Sequence, residues 1–212
     1  MNSEEINFFN ELLTKTKEAY NQSSIKDKGW WYSVTATRIM KNKPLIVGFN
    51  WGVDTSKHEA QKEYPDVCFE DNYKDLGSLK RVIPYFKNYY PNALLGMQTN
   101  FCFFRSEKED QISESDLELS SELFDKYLDY SSPSIIISFS KKLSEYLEKK
   151  GKLKDIRKGE IKSGKKIIQP INAKLQHSNN LIDFISLPHP NSKILGMARD
   201  EAWEFCFPQN NI

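Results

Sequence analysis

Apolar residues recur along this chain in short, nearly continuous runs separated by stretches of helical spacing. The first stretch places Ile6, Phe9, Leu12, Leu13, Thr16 and Tyr20 along one face, which predicts a helix capped by Ser3 and running to about Asn21. After the aromatic segment Trp30-Trp31-Tyr32, the run Pro44-Leu45-Ile46-Val47-Gly48-Phe49 stops abruptly at Asn50-Trp51-Gly52. An apolar run that breaks into glycine-containing polar sequence marks a buried parallel strand meeting a loop.

The same grammar recurs three times. Leu79, Val82, Ile83 and Phe86 predict a helix over 78–90, kinked or delayed by Pro84. A second strand, Ala93-Leu94-Leu95-Gly96-Met97-Gln98, closes at Thr99-Asn100. A helix over 114–129, capped by Ser113, carries Leu119, Leu123, Phe124, Tyr127 and Leu128 and leads to the strand Ser134-Ile135-Ile136-Ile137-Ser138. A short helix over 141–150 stops at Gly151. Residues 160–171 read as a hairpin turning at Ser163-Gly164, an edge insertion. The fourth strand, Leu181 to Leu187, ends in Pro188-His189-Pro190-Asn191-Ser192, and a last helix runs through Met197, Trp203 and Phe205.

Strands alternating with helices predict an α/β fold, three layers α/β/α around a central four-stranded parallel sheet. Such sheets bind ligands beyond the carboxyl ends of their strands. A length of 212 residues suits one domain over 1–212, with 1–43 packing on the core and 151–175 as a basic insertion. No run approaches the apolar length that crosses a bilayer, and the start is acidic where a secretory signal would be basic, so the reading is cytoplasmic, with no membrane partner. Three scattered cysteines, Cys68, Cys102 and Cys206, and three unclustered histidines give no disulfide framework and no metal or cluster site; no metal and no cofactor are expected. The net charge of +1 conceals an uneven distribution: residues 141–166 hold eleven Lys or Arg against four acids. That run is either a solvated face or a phosphate-contacting patch.

Three strand ends carry side chains suited to chemistry: Gly48-Phe49-Asn50-Trp51-Gly52, then Thr99-Asn100-Phe101-Cys102, then His189-Pro190-Asn191-Ser192. In this order they resemble the motifs of the uracil-DNA glycosylase superfamily. The first is similar to its Gly-x-Asp/Asn-Pro-Gly motif, with Trp51 in the usual proline's place. Asn100-Phe101-Cys102 is similar to the Asn-Tyr-Cys of the single-strand-selective branch, and the style of the motifs also approaches the mismatch-specific branch. His189-Pro190-Asn191 is similar to the closing His-Pro-Ser, with Ser192 one place late.

The resemblance covers about residues 44–206 and implies a DNA glycosylase of base excision repair, which hydrolyses the N-glycosidic bond of uracil or a related damaged base. The alternative is a weak or inactive homologue that binds a nucleobase or nucleotide. It implies catalytic roles for Asn50, which would position water, and for His189, which would donate to the departing base. Base binding would fall to Gly48, Asn100 and either Phe69 or Trp51 as the stacking platform. Asn191 and Ser192 would offer backbone N–H groups to a phosphate, Lys193 would add charge, and Lys193, Ile194 or Leu195 would wedge into the duplex unless Ile194 and Leu195 are helix core. Asp54 is a substitute base if its loop turns inward, while His58 and His177 are left without a role. The partner implied is single- or double-stranded DNA with an extruded base, bound by a monomer.

Overall fold

The computed structural model describes residues 2–52, 59–72 and 76–208. The elements run α1 (Ser3–Gln22), β1 (Leu45–Gly52), α2 (Ile83–Tyr89), β2 (Met97–Ser106), α3 (Glu114–Ser131), β3 (Ile135–Ser138), α4 (Lys141–Lys149), β4 (Leu153–Lys158), β5 (Ile161–Ser163), β6 (Lys166–Ile168), β7 (Ile171–His177), β8 (Asn180–Ser186) and α5 (Gly196–Cys206). The class is α/β, with a mostly parallel central sheet flanked by helices. That sheet has six strands in the order β2-β1-β3-β8-β7-β4, and β5 and β6 form a separate pair.

Strand β1 sits inside this order because its side chains are apolar on both faces. Leu45, Val47 and Phe49 join one core with Phe9 and Leu12 of α1, Phe124 and Tyr127 of α3, and Leu143 and Leu147 of α4. Ile46 points the other way, into a second core with Phe86 of α2 and Ala198, Ala202 and Trp203 of α5. Helix layers on both sides of a strand of this kind are what a parallel sheet requires. Each fully buried aliphatic or aromatic chain contributes roughly 1.5–3 kcal/mol relative to exposure, so the two cores outweigh any local preference.

Several helix ends follow their sequence signals. Asn2, not Ser3, caps α1, its side chain accepting the Glu4 N–H. Ser113 caps α3 in a reciprocal box with Asp116. Asp116 also accepts the N–H and hydroxyl of Ser24, at 2.8 and 2.6 Å. Burial alone would raise this carboxyl, yet the hydrogen bonds hold it below its ordinary value. Pro84 delays helix α2: residues 77–82 form a 3-10 turn, and α2 begins at Ile83 with the proline in its first turn, where no N–H is needed.

Two expectations are corrected. The second strand does not span 93–98. Residues 91–95 form a 3-10 turn after Pro91, and β2 runs from Met97 to Ser106 through the aromatic stretch Phe101 to Phe104. The sheet also has six strands rather than four. The segment 151–175 is not only a hairpin, because β4 and β7 flank it and extend the sheet, β7 antiparallel to β8 and β4 antiparallel to β7. The hairpin itself is present, turning at Gly164 with φ of +64°. Among the described residues no helix is long and apolar enough to cross a membrane.

The sheet's two outer strands end differently. Along β2 runs the segment 31–36, with Ser33 N–H donating to Phe103 O (2.9 Å) and Ala36 N–H to Gln98 O (3.0 Å). Along β4 the pairing slips between Lys154 and Arg157, where Asp155 has φ of +51°.

At the far end of β7, His177 Nε2 lies 2.7 Å from Asp129 and Nδ1 3.5 Å from Asp125. Hydrogen bonding to Asp125, then to Asp129, holds this imidazole above its ordinary 6.5. A group whose folded-state value is raised stabilises fully below the unfolded value and loses that contribution as pH rises through the folded one. The thermal-midpoint deficit of His177→Gln is therefore expected to be larger near pH 5.5 than near pH 9, as read by calorimetry across that range. An equal deficit at both ends would contradict the assignment.

Candidate functional site

Parallel pairing brings four strand ends to one edge. β1 pairs with β2 and β3, and β3 with β8, all parallel. Beyond the strands the alignment continues: Phe139 N–H donates to Val47 O at 3.2 Å and Leu187 N–H to Ser138 O at 2.9 Å. Asn50 and His189, each three residues past the aligned set Val47, Ser138 and Ser186, therefore lie toward the same edge, with β3 between their strands. The structure gathers them to one edge without direct contact.

Gly48 and Asn100 do meet. They are register partners in β1 and β2, and a Cβ on Gly48 would stand 2.0 Å from Asn100 Oδ1. Only glycine lets the carboxamide lie across this strand. Asn100 does not close its strand as expected but lies within it, because the aromatic run carries β2 onward. Its side chain is 9% exposed and has no hydrogen-bond partner among the described residues. A carboxamide offers a donor and an acceptor together.

Asn50 is oriented by its own surroundings. Its Nδ2 donates to Ser106 Oγ at 2.7 Å and to Trp51 O at 3.0 Å. Ser106 Oγ in turn donates to Lys108 O, so it must accept from Asn50, and this fixes which end of the amide faces it. Oδ1 remains an acceptor with no donor among the described residues. Just past Asn50 the register slips, so that Trp51 faces Arg105; the half-buried Trp51 indole N–H finds no acceptor among the described residues. Asp54 and His58 lie outside the described residues.

The loop after β8 turns back on itself. His189 Nδ1 accepts the Asn191 N–H at 3.1 Å, which leaves the ring proton on Nε2. Desolvation by the loop, helped by the positive charge of Arg199, keeps this imidazole below its ordinary value and neutral at pH 7. Arg199 holds the loop from α5, donating to the carbonyls of His189 and Pro190 (3.4 Å each) and of Ser192 (3.1 Å). No sequence signal marks that role, since one arginine in the first turn of a helix reads as ordinary solvation.

Two expectations about this loop are corrected. The N–H groups of Asn191 and Ser192 do not form a phosphate nest, because both are taken up within the turn, Ser192 N–H by His189 O at 2.8 Å. Ile194 N–H is likewise held by Ser192 O. Nor are Ile194 and Leu195 helix core. Helix α5 starts only at Gly196, Ile194 is half-buried in the loop, and Leu195 is 60% exposed. Lys193 is exposed beside them.

Phe69 is placed elsewhere. It is wholly buried, its N–H bonded to Gly96 O and its ring edge-on to Phe86 at 5.7 Å. No face of that ring is open for a base in this conformation, so the stacking expectation for Phe69 is corrected to a core role. A cavity of about 260 Å³ opens beside His189, walled by Ser192, Ser186, Leu187, Glu145 of α4, and Ile167 and Gln169 at β6; Asn50 and Asn100 do not line it. Among the described residues no three His, Cys, Asp or Glu side chains converge as metal ligands do. Cys102 and Cys206 are buried thiols pushed up to about 12 by that burial, as packing residues are. The sequence matches no protein-family model and no curated protein.

Gly48→Ala is expected to displace the Asn100 carboxamide while leaving the fold intact, which amide chemical shifts of Asn100 and thermal unfolding would report separately. In a proton NMR titration, His189 should show a midpoint below 6.5 and His177 one above it; the reverse order would refute the loop geometry.

Proposed function

We propose that the protein is a monofunctional DNA glycosylase of the uracil-DNA glycosylase type, hydrolysing the N-glycosidic bond of uracil or a related damaged base. One observation carries the reading. The Asn100 carboxamide, kept over Gly48 and without a hydrogen-bond partner among the described residues, lies in the same parallel sheet whose carboxyl edge bears Asn50 and a neutral His189. The four mutually parallel strands β2, β1, β3 and β8 within the six-stranded sheet are compatible with the four-stranded parallel sheet that the motif resemblance implies.

Each group then has a task. Extruding a base from the stack costs a few kcal/mol, which a pocket must return through contacts to the base edge. Asn100 can match O4 and N3–H of uracil at once. Trp51 is the stacking candidate that remains, since Phe69 is enclosed. As the C1′–N1 bond breaks, its electron pair leaves with the base and charge gathers on O2. A neutral imidazole with its proton on Nε2 donates there, as a donor in an oxyanion hole does. Water adds to the sugar, oriented by Asn50 Oδ1. Its proton passes to solvent or to the departing base, because a carboxamide is not a base. An Asn here predicts slow turnover. The absence of an amine among the motif residues supports hydrolysis without a covalent imine.

The second reading, a binding homologue without turnover, draws on that same Asn50. We also infer that the protein works in the cytoplasm as a monomer; free Cys68, Cys102 and Cys206 suit a reducing compartment.

Uracil-containing single strands and duplexes, treated with the protein and then alkali, should break at the uracil. His189→Ala is expected to slow release by about 10²–10³-fold, the effect of losing one charge-stabilising donor, and Asn50→Ala to slow it further. Release unaffected by either variant would sink the mechanism. Binding of free uracil without release of any of several damaged bases would favour the homologue that only binds.

A further inference from the structure

The β5–β6 hairpin stands outside the main sheet, yet two contacts fasten it to the His189 loop. Ser163 Oγ accepts the Leu195 N–H at 2.8 Å, and Ile167 shares the cavity of about 260 Å³ with His189 and Ser192. The basic run of residues 141–166 divides around it, apart from Lys154 and Arg157, which are exposed on β4. Lys141, Lys149, Lys150, Lys152 and Lys158 pair with carboxylates, and Lys142 donates to Glu109 O. Lys162, Lys165 and Lys166 of the hairpin, with Lys193 of the loop, are exposed and without ion-pair partners among the described residues. Glu160 is the one acid in the hairpin stretch 160–168.

Apolar side chains stand out among these charges. Ile167 is 62% exposed, Leu195 60% and Met197 76%. Exposed lysines alone would be a solvated face, and exposed apolar chains alone a protein contact. Their mixture on two tethered segments has a narrower meaning.

We propose that the hairpin and the 193–197 segment form a docking surface for single-stranded DNA. This deepens the glycosylase reading and rests on it. The lysines take phosphates and Ile167, Leu195 and Met197 cover unstacked bases. A second copy of the chain meeting it through the same face would bring the same positive charge and be repelled. A duplex keeps its bases stacked and would leave the apolar chains uncovered, whereas a single strand offers both phosphate and base faces. The cavity falls just below the volumes of drug-sized sites, room for a single ring. Ile168, Leu187 and Pro188 give it apolar walls, the ion pairs Lys141–Glu145 and Lys158–Glu148 line it as well, and Gln169 can meet a base edge.

The test measures binding, not excision. Fluorescence anisotropy with a labelled, uracil-free DNA single strand, and with the same strand as duplex, is followed over a range of salt. The single strand is expected to bind more tightly. The triple variant Lys162→Gln, Lys165→Gln, Lys166→Gln should bind about tenfold more weakly at low salt, its log–log salt slope smaller by up to about 2, near 0.7 for each phosphate no longer neutralised. Ile167→Ser should weaken binding about threefold or more and leave that slope unchanged. All four positions are exposed, so unfolding curves should match the parent.

Equal affinity and slope for the triple variant would overturn the proposal, as would a parent that prefers duplex. So would an Ile167→Ser variant that changes only self-association in sedimentation. Loss of strand binding in these variants, in a protein that excises no base, would leave the docking surface standing and remove the glycosylase reading. Excision that continues with hairpin-independent strand binding would remove this proposal alone.

Discussion

Burial of β1 on both faces is the constraint from which the architecture follows. Leu45, Ile46 and Val47 have no exposed surface, and they can lie there only if strands pair on both sides and helices cover both faces. β2 and β3 supply the first, α1, α3 and α4 one cover, and α2 and α5 the other. Two residues later the alternation reaches Gly48 and Asn50, where the face that held Ile46 turns polar. The chemistry of the edge begins where the packing requirement of the strand ends.

Much of this is legible in the chain. β1, β3 and β8 are short apolar runs with polar exits, and α1, α3 and α4 show their stripes and caps. Proline at 84 sets the start of α2. What escapes the sequence has identifiable causes. β2 begins later than its pattern suggests: Ala93-Leu94-Leu95 is apolar, but Pro91 starts a 3-10 turn there. A Cβ on Gly96 would come within 2.6 Å of Pro44 O, so the chain passes tightly at that point before extending. β7 carries a strand signal in Ile171, Ala173 and Leu175, buried alternately with half-exposed neighbours. β4 carries none: past Leu153 its residues are exposed, and pairing with β7 rather than its own pattern makes it a strand.

The site is legible at its periphery and obscure in its interior. Asn50 and His189 follow from polar residues closing apolar runs. Their orientation does not, because it depends on Ser106, fifty-six residues from Asn50, and on Arg199 from the next helix. The contact of Gly48 with Asn100 requires knowing the register of β1 against β2, which neither strand states alone. Phe69 is ambiguous in the sequence because aromatic residues serve stacking and packing alike. Only the T-shaped neighbour Phe86 decides between them.

The closure of the sheet's two rims has a bearing on how the protein behaves in company. A bare ladder of N–H and C=O groups invites strands from other molecules. Here one rim is occupied by the chain's own residues 31–36, and the other is disrupted at Asp155 and crowded with Lys154, Arg157 and Lys158. Neither offers an intact template, so sheet-to-sheet growth into fibrils is disfavoured at both ends of a six-stranded sheet.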